Sequence, residues 1–186
     1  MVLVVDNADQ SSFKPINSNY AKDSKHVYLW NRVIEGADPN TFSYLKYDYA
    51  KDKTKVYLGG QELRGADPST FQVIEHGWSR DKNDIYAGSK PLKVVDMNSF
   101  TILHIGLLNW WARDRSAYYI SGHGKIDCDY STMKILGDFY GVDKNRAYYC
   151  GIPIEGVDVK TFRGTGDITA RDKYRKYRGE SVDWIK

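Results

Sequence analysis

The chain has 186 residues, 41% hydrophobic and 27% charged, with a formal net charge of +3, the composition of a globular protein long enough to bury a proper core. So small a net charge excludes a need for a polyanionic partner, and no stretch is long and apolar enough to span a bilayer. Fifteen tyrosines point instead to strands that are half buried and half wet, and to a surface suited to binding.

At the start, Met1-Val-Leu-Val-Val5 lacks the basic flank and cleavage site of a signal peptide. The next segments explain it. From Tyr20 the chain reads YAKDSKHVYLWNRVIEGADPNTF, and from Tyr49 it reads YAKDKTKVYLGGQELRGADPSTF. Self-similarity at a fixed period marks a repeat architecture. The anchoring aspartates are Asp23, Asp52, Asp81, Asp114, Asp143 and Asp172, in steps of 29, 29, 33, 29 and 29. Each is followed five positions later by a tyrosine (Tyr28, Tyr57, Tyr86, Tyr119, Tyr148, Tyr177). Fifteen positions after the first five stands a second aspartate: Asp38, Asp67, Asp96, Asp129 and Asp158. Phe42, Phe71, Phe100, Met133 and Phe162 follow four further on. The long step comes from four extra residues, Leu107-Leu-Asn-Trp110. Carried back one period, Ala8-Asp9 to Phe13 falls on Ala37-Asp38 to Phe42, and Val2–Val5 falls on the segment around Val33-Ile34, which predicts a strand.

The repeat predicts one domain over residues 1–186, with a half copy over 1–19 and full copies over 20–48, 49–77, 78–110 (with the insert), 111–139 and 140–168. A second half copy over 169–186 completes it, with no linker or low-complexity run. Within a copy, Asp67-Pro68 is a helix N-cap followed by the residue that best tolerates the first helical position, so a helical turn of one or two turns is predicted, with Phe71 and Ile74 on one face. Asp81-Lys-Asn83 predicts a tight reversal. A second reversal is predicted at Gly59-Gly60, Gly88-Ser89, Gly122-His-Gly124 and Gly151-Ile-Pro153. The fold class is therefore mainly β: tandem repeats of about 29 residues, each made of short antiparallel hairpins and one short helical turn, stacked because a single copy has too few apolar residues for its own core. The array is either an open stack or closed by pairing Val2–Val5 with the strand region after Tyr177; closure is favoured, although 29 residues is short for a propeller blade.

The repeated aspartates sit where turns and caps need them, and Asp81-Lys-Asn83-Asp84 lacks the glycine and distal glutamate of a calcium loop. No metal and no cofactor are expected. His123, Asp127 and Asp129 are close in sequence, but they fall on a hairpin with no nucleophile motif, so the histidine reads as a solvated turn residue and the protein as a non-enzyme. Cys128 and Cys150 form either one disulfide or two free thiols. Arg171-Asp-Lys-Tyr-Arg-Lys-Tyr-Arg178 is basic and interleaved with aromatics, yet reads better as the polar end of an array than as a nucleic-acid surface.

Asp81-Lys-Asn83 and Asp143-Lys-Asn145, the latter followed by Ala147-Tyr148-Tyr149, together with Gly-Ala-Asp-Pro-x-Thr-Phe, resemble the bacterial DKNYY repeat family over about Asp9 to Tyr177. Tyr174 stands where the motif has Asn, and Met133 where it has Phe. The resemblance implies a repetitive protein, periplasmic or otherwise exported, with a cytoplasmic location as the alternative, and with no assigned catalytic residues. It further implies a protein partner: some members resemble immunity proteins against secreted antibacterial toxins, including lipases of the type VI secretion system. A carbohydrate- or cell-surface-binding module is the alternative. Consensus positions are committed to stacking, so partner contact is expected from residues the copies do not share: Leu107, Leu108, Asn109 and Trp110 of the insert, flanked by Ser121, His123 and Lys125. The insert folding inward to fill a gap is the competing expectation, and oligomeric state is left open.

Overall fold

The computed structural model describes residues 8–75, 77–106, 109–166, 168–179 and 181–184. The chain divides into two compact units, the first ending at Ser89 and the second beginning at Lys90. Among the described residues there is no helix; the secondary structure is six small antiparallel sheets whose strands run in chain order.

In the first unit these are β1 (Lys14–Pro15), β2 (Tyr20–Lys22), β3 (Val27–Leu29) and β4 (Arg32–Val33), then β5 (Ser43–Tyr44), β6 (Tyr49–Lys51), β7 (Val56–Leu58) and β8 (Gln61–Glu62), then β9 (Gln72–Glu75), β10 (Trp78–Arg80) and β11 (Ile85–Ala87). The second unit opens with β12 (Lys90–Pro91) and continues with β13 (Thr101–Ile105), β14 (Trp110–Arg113), β15 (Tyr118–Ile120) and β16 (Gly124–Ile126). It ends with β17 (Lys134–Ile135), β18 (Tyr140–Val142), β19 (Ala147–Tyr149) and β20 (Ile152–Pro153), then β21 (Arg163–Gly166), β22 (Thr169–Arg171), β23 (Arg175–Arg178) and β24 (Ser181–Trp184).

One copy explains the rest. Asp52 turns the chain between β6 and β7, which pair Tyr49 with Leu58, Ala50 with Tyr57 and Lys51 with Val56. Successive side chains point to opposite faces, and both faces are covered, since Tyr49 and Ala50 on β6 and Val56 and Tyr57 on β7 are all buried. Gly59 and Gly60 then close the next hairpin with φ of 56° and 76°, the pair of left-handed residues that a two-residue hairpin matching the sheet twist requires. In the fifth copy Cys150 takes the first of these positions at φ 50°, a conformation in which a side chain is strained, and Gly151 takes the second.

The aspartate-capped segment is shorter than the predicted one- or two-turn helix. The Thr41 and Phe42 amides donate to the Asp38 carbonyl, making a single turn. The backbone then enters β5, where Ser43 pairs with Lys51, so the helix has no room to propagate. The insert also departs from a free loop. It lengthens the hairpin between β13 and β14, where Ile105 pairs with Trp110 and Gly106 N–H donates to the Asn109 carbonyl at 3.1 Å. Leu107 and Leu108 lie outside the described residues, as do Val2–Val5 and with them the expected pairing of the chain ends.

The core sits between successive sheets rather than inside any one of them. Tyr20, Val27 and Ile34 of the first sheet pack with Phe42, Ala50 and Tyr57 of the second; Tyr49, Val56 and Leu63 pack with Phe71 and Tyr86 of the third. In the second compact unit Trp111, Tyr118, Ile120 and Ile126 pack with Met133 and Tyr148, and Tyr140 and Ala147 with Phe162, Ala170 and Tyr177. The second and fifth copies each supply half of two cores, as expected for an array whose members cannot fold singly.

Candidate functional site

The most repetitive chemistry is also the most buried. In the second copy Asp52 Oδ1 accepts the amides of Thr54 and Lys55, both at 2.7 Å. Its Oδ2 accepts the Tyr57 hydroxyl at 2.8 Å and the Asp38 amide, from the copy before, at 3.0 Å. The same four donors, two turn amides, the tyrosine five residues on and the amide of the preceding second aspartate, converge on Asp23, Asp81, Asp114, Asp143 and Asp172. The bond reaches back 14 residues in five copies and 18 in the fourth, where the insert intervenes, so it is kept despite the longer path.

Around it run two further ties. The residue after each anchoring aspartate donates its amide to the Ser or Thr hydroxyl of the preceding capped turn: Ser24 to Ser12, Lys53 to Thr41, Lys82 to Thr70, Arg115 to Ser99, Lys144 to Thr132 and Lys173 to Thr161. In four copies the same residue's side chain meets that turn's aspartate, as Lys53–Asp38 at 3.4 Å, Lys82–Asp67 at 2.6 Å, Lys144–Asp129 at 2.7 Å and Arg115–Asp96. These pairs lie at the surface, where solvent screens them, and set register more than stability.

A carboxylate with four donors has its lone-pair sites filled and nothing left for a metal ion or a substrate proton. Burial alone would raise the Asp52 and Asp114 pKa values, but the converging hydrogen bonds outweigh it and lower both to about 2, with Asp23, Asp143 and Asp172 lowered likewise. Their tyrosine partners move the other way, through burial first and the aspartate hydrogen bond second: Tyr28 is pushed up to about 12, and Tyr57, Tyr148 and Tyr177 are also raised.

Two pH limbs are therefore expected. The depressed carboxylates contribute stability that is present above their ordinary value of 3.8 and lost as pH falls through about 2. The raised tyrosines contribute stability present below 10 and lost as pH rises through about 12. Urea midpoints measured across pH should show a plateau between two descending limbs. An acid limb no steeper than that of the Asp52→Asn variant would contradict the assignment.

The expected partner-contact residues lie elsewhere. Trp110 is half-buried in β14; its indole N–H donates to the Gly106 carbonyl at 2.8 Å and its amide to Ser121 Oγ at 2.9 Å. Ser121 Oγ meets Asn109 Oδ1 at 3.4 Å, and Asn109 Nδ2 reaches Cys150 Sγ at 3.7 Å. The structure thus brings Asn109, Trp110 and Ser121 together, whereas His123 and Lys125 are exposed on the turn and on β16. His123 does not share a site with its sequence neighbours: Asp129 is held by Ser131, Thr132 and Lys144, and Asp127 meets Arg146 at 3.3 Å. Cys128 and Cys150 are both free thiols, and burial pushes the Cys128 thiol up to about 11, away from nucleophilic use.

One pair escaped the sequence reading. His104 Nε2 lies 2.8 Å from Oδ1 of the buried Asp138, and a Cβ on Gly106 would fall on that carboxylate. Neither residue recurs at its repeat offset, so periodicity carried no signal for it. Among the described residues no three His, Cys, Asp or Glu side chains come close enough to hold a metal ion. Among the described residues there is no helix long and apolar enough to cross a membrane.

Comparison with known proteins adds one finding. Neither the curated proteins nor the solved structures contain a match to this chain. The model of the DKNYY family matches residues 2–48 and again 49–181. The Asp-Lys-Asn turn and the tyrosine that bonds its aspartate are the elements of the network described above, and the chain belongs to the DKNYY family.

Proposed function

We propose that the protein is a non-enzymatic repeat domain that binds another protein, and specifically an immunity protein that neutralises a secreted antibacterial toxin such as a type VI secretion lipase effector, acting in the periplasm. The observation that supports this reading is the occupancy of the repeated polar groups. The anchoring aspartates, their tyrosines and the capping hydroxyls are engaged between copies, which leaves recognition to residues the copies do not share. Asn109, Trp110 and Ser121 form one such cluster, and a half-buried tryptophan with its polar edge already bonded is a rigid anchor of the kind that dominates protein interfaces.

The test is capture by the immobilised full chain from extracts of the native cell, with mass spectrometry and a toxicity assay on the captured protein. A single enriched protein whose toxicity the chain abolishes is expected, and Trp110→Ala should weaken its binding by about tenfold or more. A captured protein with no toxicity would remove the immunity role. Exposed aromatics at turns, Trp30 at 55% and Tyr174 at 50% exposure, favour the carbohydrate reading, and saturable binding on a glycan array with no protein captured would replace the present one.

A further inference from the structure

The last sheet breaks the pattern of the other five at two adjoining positions. Four residues after the anchoring aspartate stands Val27, Val56, Ile85, Tyr118 or Ala147, and each is buried. In the last copy it is Lys176, which is exposed. Six residues after the aspartate the earlier copies carry Leu29, Leu58, Ala87, Ile120 or Tyr149; the last carries Arg178, also exposed. In the earlier sheets these positions pack against the next copy, as Val27 does against Phe42 and Tyr57.

The substitutions do more than make an end polar. Cross-strand pairing sets Arg163 opposite Arg171 and Arg171 opposite Lys176, so three cations form a row across β21, β22 and β23, with Arg178 next to it opposite Thr169. Directly opposed like charges destabilise a sheet, and neutral Ser, Thr or Gln side chains would make an end just as polar without that repulsion. Among the described residues none of the four has an ion-pair partner, whereas Lys53, Lys82, Arg115 and Lys144 are each neutralised by an aspartate of the preceding turn. Lys173, their counterpart in the last copy, lies over the Tyr174 ring, its Nζ 5.3 Å from the centroid. On β24, Asp183 stands in register with Lys176, one acidic residue against four basic ones. The same face carries an open recess of about 350 Å³, lined by Thr165, Thr169, Arg171, Lys176 and Arg178 over the backbone of Ala170 and Tyr177.

We propose that this face of β21–β23 is a docking surface for an acidic segment of a protein partner, with Arg163, Arg171, Lys176 and Arg178 receiving its carboxylates and Thr165 and Thr169 supplying hydroxyls to the recess. The proposal rests on the protein-binding reading above and names the chemistry of the partner. Charge complementarity selects the occupant. Arg163, Arg171, Lys176 and Arg178 gather on one face of one sheet, the footprint of a short acidic run, while a nucleic-acid backbone calls for a basic track that continues along the molecule. Arginine forks are also matched to carboxylates in pairs.

The experiment uses the full chain and three fluorescent probes: an octaglutamate peptide, an octaserine peptide and a single-stranded oligothymidylate. Octaglutamate is expected to bind in a salt-sensitive manner, octaserine not at all, and Arg171→Glu with Lys176→Glu to weaken octaglutamate by about tenfold or more. Lys176→Val, which restores the residue of the second copy, should keep or raise the melting temperature and still weaken the peptide severalfold, so that loss of fold is told apart from loss of charge. No binding of octaglutamate, an undiminished affinity in either variant, or tighter binding of the oligonucleotide than of the peptide would each overturn the proposal. A toxin captured equally well by wild type and by the double variant would move the docking surface elsewhere and leave the protein-binding reading standing. Octaglutamate binding with no protein ever captured would remove that reading while the face keeps its assigned chemistry.

Discussion

Asp52→Ala is expected to lower the free energy of unfolding by about 4 kcal/mol or more, a large part of the ~5–15 kcal/mol that holds a domain of this kind together. The reasoning counts donors rather than contacts. Removing the carboxylate strands the amides of Asp38, Thr54 and Lys55 and leaves the Tyr57 hydroxyl only the Gly36 carbonyl at 3.3 Å, and a buried donor left without a partner costs about 1–3 kcal/mol. The Asp38 amide matters most, because it belongs to the previous copy and its loss uncouples two sheets. Asp52→Asn keeps Oδ1 for the turn and can donate from Nδ2 to the tyrosine hydroxyl oxygen, but it faces the Asp38 N–H with another N–H; about 1.5–3 kcal/mol is expected for it. Asp38→Ala, which removes a half-buried cap at the surface, should cost clearly less than either. Urea denaturation of the three variants checks the order. If Asp52→Ala proves no more harmful than Asp38→Ala, the buried carboxylate is not what joins the copies.

That order separates what was legible in the sequence from what was not. The period, the turn at Asp81-Lys-Asn83 and the capped turn at Asp67-Pro68 were readable because each rests on local backbone preferences that one residue type satisfies. The join between them was not read, although its trace was present: the interval of 14 residues from Asp38 to Asp52, which recurs in four other copies. An aspartate explained locally as a turn former has a second carboxylate oxygen, and nothing in a local rule says where that oxygen goes. The insert was legible as a departure but not as a hairpin extension, since the pairing of Ile105 with Trp110 depends on the strand already formed by Thr101 and Arg113. His104 and Asp138, 34 residues apart and outside the repeat, meet only because their sheets stack. The basic run at Arg171–Arg178 was visible as composition. That Arg171 and Lys176 stand opposite one another could be told only from strand register.

Register and packing also set the second large effect, at Trp111. This side chain is fully buried and takes the place that Tyr20, Tyr49 and Tyr140 hold in other copies. Those tyrosines use the hydroxyl to reach carbonyls at or beyond the end of their own copy, as Tyr49 does to Gly77 at 2.9 Å and Gly88 at 3.1 Å; Trp111 uses its indole N–H, donating to the Gly137 and Asp138 carbonyls at 3.1 and 3.0 Å. The indole is the larger group, and the next copy makes room for it. Where Tyr20 packs in a core with Ala50 and Tyr140 in one with Ala170, the residue facing Trp111 is Gly141. A Cβ there would lie 3.0 Å from Trp111 Cη2 and 2.5 Å from Met133 Cε. Trp111→Ala should therefore cost about 3–5 kcal/mol, from the cavity and the two lost hydrogen bonds. Gly141→Ala should cost about 1–3 kcal/mol by overpacking, even though alanine is the residue of neighbouring copies. Trp111→Tyr combined with Gly141→Ala recreates the Tyr–Ala pairing and should cost less than the sum of its parts, with a coupling of about 0.5–3 kcal/mol in a double-mutant cycle. Additive costs would mean that Gly141 answers to something other than the indole, for which the flexible end of Met133 is the nearest candidate; Met133→Ala in the Gly141→Ala background would then restore the lost stability where Trp111→Tyr does not.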